Sequence, residues 1–126
     1  MSMNNKSKME LEYRMFQLEA AAASIAQFDG YKALYNGSSA LEVAISLSFL
    51  LDEDLSAIIN ELECFTCFSE ISEGEAAARA LANMASCITV GDAESIDRFF
   101  SMSYLTAEAI TRAREAISAE IAAKPA

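Results

Sequence analysis

Residues that form turns are scarce in this chain, and this scarcity restricts the folds that it can adopt. Only four glycines and one proline, Pro125, occur among its 126 residues. An all-β domain would need a turn about every 8–12 residues, and turns favour glycine and proline. The chain is 53% hydrophobic and rich in alanine, the residue with the highest helix propensity. The sequence therefore predicts an all-α fold, a compact bundle of about five to six helices.

The length of the chain favours a single domain with a core of its own. Residues 1–7 are predicted to form a flexible N-terminal tail, and residues 8–126 a single helical domain. No run of about 18 apolar residues predicts a membrane-spanning helix, and no apolar segment follows Lys6 and Lys8 as in a signal peptide. Three cysteines, an odd number, favour free thiols over a disulfide framework. These features predict a cytoplasmic protein without a membrane partner.

The first helix is predicted to run from about Lys8 to Phe28, and it has two apolar stripes on nearly opposite sides. One stripe consists of Met9, Tyr13, Phe16, Ala20 and Ala23. The other consists of Leu11, Met15, Leu18, Ala22 and Ile25. A helix that is apolar on two sides must bury both of them. This helix is therefore expected either to be central in the domain or to meet a partner chain with one side.

Capping signals predict where the later helices begin. Ser39–Glu42 and Ser72–Glu75 both match the capping box, so a helix is predicted to start at each. Asp52, Asp92 and Thr106 are each predicted to cap a further helix. The helix after the first capping box is apolar nearly all round up to residue 51, which is typical of the central, buried helix of a bundle.

The net charge of −10 is concentrated in the middle of the chain. Residues 38–75 contain no lysine or arginine. They contain only acidic charges: Glu42, Asp52, Glu53, Asp54, Glu61, Glu63, Glu70, Glu73 and Glu75. Such a field repels nucleic acid and anionic membranes and attracts basic surfaces. Direct binding of nucleic acid is therefore not expected, whereas a protein partner with a basic surface is.

An acidic amphipathic helix after Asp52 is the preferred interpretation of this segment, with Leu55, Ile58 and Ile59 facing the core. Its carboxylates are expected to gather on one continuous outward surface. The predicted partner-binding residues are Asp52, Glu53, Asp54, Glu61, Glu63, Glu70 and Glu73. The alternative is a solvated face that serves only solubility, but exposed surfaces usually mix charges of both signs.

The same segment also matches part of an EF-hand loop. With Asp52 at loop position 1, Asp54, Asn60 and Glu63 occupy further ligand positions. The match fails where the loop needs a glycine, because the sequence has Ala57 there. A degenerate calcium-binding loop is therefore a weak alternative to the acidic helix.

Cys64 and Cys67 form a CxxC motif, and two functions can be considered for it. A structural zinc site needs four ligands, but the chain has no histidine and only one further cysteine, Cys87. A thioredoxin-type site needs a preceding strand, which is not predicted here. Both cysteines are therefore expected to be small buried apolar residues.

Since histidine is the commonest general base, its absence also argues against an enzyme. No catalytic residue, cofactor or metal is predicted.

The sequence leaves several functions open. The preferred hypothesis is a small acidic helical protein that binds another protein through its acidic face, as an adaptor or as an inhibitor of the kind made by phages and mobile elements. A second hypothesis is mimicry of nucleic acid, because carboxylates one helical turn apart are spaced by about 6 Å, comparable with phosphates along one strand. A third is a structural homo-oligomer, for example a dimer, formed through the first helix.

Overall fold

The computed structural model describes residues 5–27, 38–61, 66–89 and 92–123, and within these ranges the chain is all-α. It forms four helices: α1 (Asn5–Gln27), α2 (Ser38–Asn60), α3 (Phe68–Ser86) and α4 (Ala93–Ala123). The predicted all-α class is confirmed, but the predicted number of five to six helices is wrong for the part of the chain that is described.

The helices form a four-helix bundle in which each helix packs on the next and α4 returns to pack on α1. In the described ranges, the diagonal pairs, α1 with α3 and α2 with α4, do not pack on each other. Ser56 of α2 bonds to Glu75, and Asp52, one turn earlier, lies near Arg79, one turn later in α3. This order shows that α2 and α3 are antiparallel, as expected for short connections.

Two of the predicted helix starts lie inside continuous helices. Asp52 is in the middle of α2 and Thr106 is in the middle of α4. The Thr106 hydroxyl donates to the carbonyl of Met102 at 2.9 Å and to that of Ala77 in α3 at 3.3 Å, so it does not cap a helix. The described parts of both regions lack glycine and proline, so the backbone has no reason to break there. These two misread residues account for the excess of predicted helices.

The capping box at Ser72–Glu75 is also wrong as a helix start. The helix α3 begins at Phe68, and Glu75 is buried in its middle at 7% exposure. By contrast, the cap at Asp92 is confirmed, since its Oδ1 accepts a hydrogen bond from the backbone N–H of Glu94 at 3.2 Å. The helix α2 begins at Ser38, close to the predicted start, although the side chains of residues 38–40 lie outside the description.

The core contains one of the two apolar stripes of α1. Its buried members are Leu11, Met15, Leu18, Ala22 and Ile25. The other stripe faces outward: Met9 is 71% exposed, Tyr13 64% and Phe16 45%. The helix α1 is therefore not the central helix of the domain, and the chain itself does not cover its second stripe within the described residues.

The prediction that α2 is a central helix is also wrong. Leu51, Leu55 and Ile58 are fully buried, but Val43 is 51% exposed and Leu50 46%. A bundle of four helices has no central position, because every helix contacts two neighbours and keeps one side on the surface. In the described part of the chain, none of the helices is long and apolar enough to cross a membrane.

Candidate protein-binding surface on α2

A stripe of side chains with heptad spacing runs along α2 on the side nearer α1. We call it the α2 outer stripe, and it consists of Val43, Leu47, Leu50, Asp54, Ala57 and Glu61. These residues recur at alternating steps of four and three, so they lie on one side of a helix with 3.6 residues per turn. The Arg14–Glu61 ion pair, 2.9 Å long, shows that the stripe borders α1. The first half of the stripe is apolar and the second half carries carboxylates.

The apolar half of the α2 outer stripe lines one side of a shallow, open groove. Val43, Leu47 and Leu50 line it together with Glu42 and Ser46. Val43 and Leu50 are each about half exposed, and Leu47 is partly buried. Large apolar side chains that are exposed together on a surface are typical of positions where proteins bind one another. Glu42 at the edge of this groove is acidic, so the groove carries the same sign of charge as the second half of the stripe.

The acidic half combines two members of the stripe with the adjacent Glu53. Glu53 is exposed and Asp54 is partly buried. Glu61 pairs with Arg14, but its side chain is still 50% exposed and that of Arg14 38%. An ion pair this exposed contributes little to stability, and its carboxylate stays accessible to another cation. Asp54 and Glu61 are thus the two predicted binding residues that share this side of α2, and the exposed Glu53 lies next to them, about 100° further round the helix from Asp54.

Asp52 lies on a different side of α2, against α3. The Oδ1 atom of Asp52 is 3.8 Å from Nε of Arg79. This oxygen is buried and has no hydrogen-bond partner among the described residues. The neighbouring Glu75 accepts hydrogen bonds from Ser56 at 2.9 Å and Arg79 at 2.7 Å. Burial, and next the Glu75 carboxyl group, raise the pKa of Asp52, whereas the Arg79 charge opposes this rise. Asp52 is therefore a residue of the α2–α3 contact.

The remaining predicted residues do not join the α2 outer stripe. Glu70 and Glu73 are on α3, the first partly buried and the second exposed. Their helical positions put them on the side away from Glu75, which marks the face of α3 that meets α2. Glu63 lies outside the described residues. The expected continuous surface of all these carboxylates is not what the described residues form.

The apolar half of the stripe is not evident from the sequence pattern. The sequence predicts a buried helix over Val43, Leu47 and Leu50, because α2 is apolar on nearly every side before Asp52. The signal that could have revealed the stripe is that the helical side of these apolar residues also contains Asp54 and Glu61, whose carboxylates favour an outward position.

Cys67, the described cysteine of the CxxC motif, lies beside a carboxylate of α4. Glu120 accepts hydrogen bonds from the Thr66 N–H at 2.9 Å, the Thr66 hydroxyl at 2.7 Å and the Cys67 N–H at 3.1 Å. Burial, and next the negative charge of Glu120, raise the pKa of the Cys67 thiol to about 11. The thiol is therefore protonated near neutral pH. Cys67 is partly rather than fully buried, Cys87 is exposed, and Cys64 lies outside the described residues.

The described residues do not form the calcium loop considered for Asp52–Glu63. The helix α2 continues through Asn60, whereas an EF-hand loop turns sharply at its sixth position. Within the described part of the chain, no three side chains of histidine, cysteine, aspartate or glutamate are grouped to hold a metal ion.

Neither the protein-family models nor the curated proteins nor the solved structures compared with this chain contain a match.

Proposed function

We propose that this protein is a binding module that engages a basic surface of another protein through the acidic half of the α2 outer stripe. An adaptor and an inhibitor both act in this way. The residues that would contact the partner are Glu53, Asp54 and Glu61, a smaller set than the sequence predicts. Asp52 supports α2 from the α3 side and would not touch the partner.

The observation that carries this proposal is the lack of compensating cations around Glu53 and Asp54. Neither side chain has an ion pair among the described residues, and α2 has no lysine or arginine of its own. Unpaired charges on an exposed side contribute little to folding, but they attract a partner of opposite charge and accelerate its association. A surface that served solubility alone would not need this segregation of charge signs.

Charge reversal tests the proposal. The double variant Glu53→Lys with Asp54→Lys is compared with a second double variant, Asp97→Lys with Glu108→Lys. The second variant changes the net charge by the same amount at exposed positions of α4. Each protein is immobilised and incubated with host extract at about 50 mM salt and at about 500 mM salt, where the Debye length shortens roughly threefold. We expect a bound protein that is retained by the wild type and by the α4 variant. The α2 variant should not retain it, and neither should the wild type at high salt.

Two results would contradict the proposal. Equal retention by both variants would show that α2 is not the binding surface, and retention unaffected by salt would show that charge does not drive binding. Added duplex DNA or RNA distinguishes the mimicry hypothesis, since a partner that normally binds nucleic acid should be displaced by it.

A second candidate function, self-association through α1, is favoured by the outward stripe of that helix. Met9 and Tyr13 are more than 60% exposed, and Phe16 is covered in part by Arg114, whose guanidinium lies 4.7 Å from the ring centre. Light scattering of the wild type and of Tyr13→Lys tests it. A dimer that the substitution dissociates would support it, and a wild-type monomer at high protein concentration would exclude it. Repulsion between two chains of net charge −10 opposes this association.

A further inference from the structure

We propose that the α2 outer stripe binds one helix of the partner. The side of this helix that contacts the stripe would carry apolar side chains at one end and basic side chains at the other end. This inference rests on the proposed function and specifies its partner. The juxtaposition that carries it is an open apolar groove, lined by Val43, Leu47 and Leu50, on the same side of α2 as the carboxylates of Asp54 and Glu61.

The straight course of the stripe along one side of α2 favours a helix as its occupant. Residues that repeat every 3.5 positions on average stay on one side over several turns, and they face a second helix that crosses at about 20°. The stripe spans Val43 to Glu61, which corresponds to about 27 Å at 1.5 Å per residue. A partner helix of about five turns covers this length. Helices that bind in surface grooves commonly use apolar anchors at such spacings.

The charge distribution fixes the chemistry of the partner helix. Its apolar side chains would lie on Val43, Leu47 and Leu50, and its lysines or arginines would reach Asp54, Glu61 and the adjacent Glu53. Because Leu50 and Asp54 are one turn apart, the basic residues of the partner should begin about one helical turn after its last apolar anchor. Glu42 at the opposite edge of the groove favours a further cation there.

A second copy of this chain does not fit the same surface. Antiparallel pairing of two α2 outer stripes would bury Asp54 and Glu61 against the Val43 and Leu50 side chains of the other copy, and unpaired buried carboxylates are costly. Parallel pairing would bring the carboxylates of both copies together. A basic partner helix avoids both conflicts, because its cations neutralise the acidic half while its apolar side chains cover the other half.

A peptide library displayed on phage tests the inference on the full-length protein. Peptides of about 20 residues, long enough for the stripe at 1.5 Å per residue, are selected on the wild type. The selected peptides are then measured against three double variants. Val43→Ser with Leu50→Ser changes the apolar half, and Glu53→Lys with Asp54→Lys changes the acidic half. Tyr104→Ser with Leu105→Ser is the matched control, because these α4 side chains are 60% and 59% exposed.

We expect peptides in which an apolar cluster and a basic cluster follow each other, and which gain helical circular dichroism on binding. Their affinity should fall at least tenfold with either α2 variant, which corresponds to about 1.4 kcal/mol, and stay unchanged with the α4 control. Thermal melting of each variant verifies that it is folded.

Several outcomes would overturn the inference. Basic peptides that ignore Val43→Ser with Leu50→Ser would overturn it and leave the proposed function standing. Peptides without basic residues that also ignore the lysine variant would overturn both. Failure to enrich any peptide would show that the stripe binds no helical segment. A large loss of stability in the serine variant would show that the chain itself covers the groove, and a wild-type dimer dissociated by this variant would identify a second copy as the occupant.

Discussion

Asp52 and Glu75 bring two carboxylates together between α2 and α3, and Arg79 lies beside both. Glu75 is the better stabilised carboxylate of the two, since it accepts hydrogen bonds from Ser56 and Arg79. Asp52 has a buried oxygen without a hydrogen-bond partner among the described residues, at 3.8 Å from Arg79. One guanidinium that is 61% exposed cannot fully offset two carboxylates, so the ionised form of Asp52 is disfavoured at this position.

This arrangement predicts a pH dependence of stability. The pKa of Asp52 in the folded chain is raised above its ordinary value of 3.8, by burial first and then by Glu75, so the folded state retains the proton more strongly than the unfolded state does. The resulting stabilisation is complete below pH 3.8 and is lost as the pH rises through the raised pKa. Urea unfolding is measured at several pH values between about 4 and 7. The free energy of unfolding of the wild type should fall relative to that of Asp52→Asn as the pH increases.

The asparagine variant should be at least as stable as the wild type near pH 7, because its carboxamide has no charge to desolvate and can donate a hydrogen bond to Glu75. Asp54→Asn on the α2 outer stripe is the matched control, since it removes a carboxylate from the same helix on a different side. Parallel pH curves for the wild type and Asp52→Asn would contradict the interpretation of this contact.

At the scale of the helices, local periodicity predicted the fold class and many positions of the core. The inward stripe of α1, with Leu11 and Met15, and the inward residues Leu55 and Ile58 of α2 are buried as their spacing predicts. The number of helices could not be predicted in the same way. Asp52 and Thr106 are residue types that often cap helices. In the structure, however, Asp52 lies near Arg79 of α3, and the Thr106 hydroxyl donates a hydrogen bond to Ala77 of α3. Local sequence does not reveal such contacts.

The candidate surface was predicted only in part, for a related reason. Charge segregation in the sequence pointed to Asp54 and Glu61, which share one side of α2, and to the neighbouring Glu53. It could not distinguish them from Glu70, because the sides that two helices turn to each other depend on the whole bundle. The exposure of Val43 and Leu50 was missed because hydrophobicity predicts burial on average but does not identify which apolar side remains uncovered.

The contact between α3 and α4 gives a prediction for Gly74. A Cβ atom at this position would lie 3.5 Å from the Ala109 carbonyl oxygen and 3.5 Å from Cβ of Ala113, which is ordinary van der Waals contact. Gly74→Ala should therefore fit, and it should raise the free energy of unfolding by about 0.5–1 kcal/mol through the higher helix propensity of alanine. Chemical denaturation measures this change.

Two variants of α3 complete this test. Ala76→Gly, at an exposed position of the same helix, should lower stability by about 1 kcal/mol and calibrates the propensity effect. Gly74→Leu should destabilise the protein by about 1–3 kcal/mol, since the side chain would be forced against α4. A loss of stability in Gly74→Ala would mean that α3 and α4 pack more closely than these distances indicate.

At the scale of the whole molecule, the charge of −10 is only partly offset by ion pairs. In the described residues, the arginines that form ion pairs join Glu61, Glu75, Glu94 and Glu19, with Asp52 and Glu115 as further neighbours. Arg14–Glu61 and Arg98–Glu94 have both side chains exposed and therefore contribute little stability. Glu53 and Asp54 have no ion pair in the described ranges, so repulsion among the α2 carboxylates should oppose folding.

Salt should therefore stabilise this protein. Raising sodium chloride from about 20 mM to about 500 mM shortens the Debye length to roughly a fifth and screens this repulsion, together with the weak surface ion pairs. Because repulsion dominates at this net charge, we expect the free energy of unfolding to rise by about 1 kcal/mol, or roughly 4 °C in Tm. The variant Glu53→Gln with Asp54→Asn should be more stable than the wild type at low salt and should gain less from added salt. A Tm that falls as salt is added would show that ion pairs such as Arg114–Glu19 outweigh the repulsion, and that the carboxylates of α2 carry no energetic cost for a basic partner to relieve.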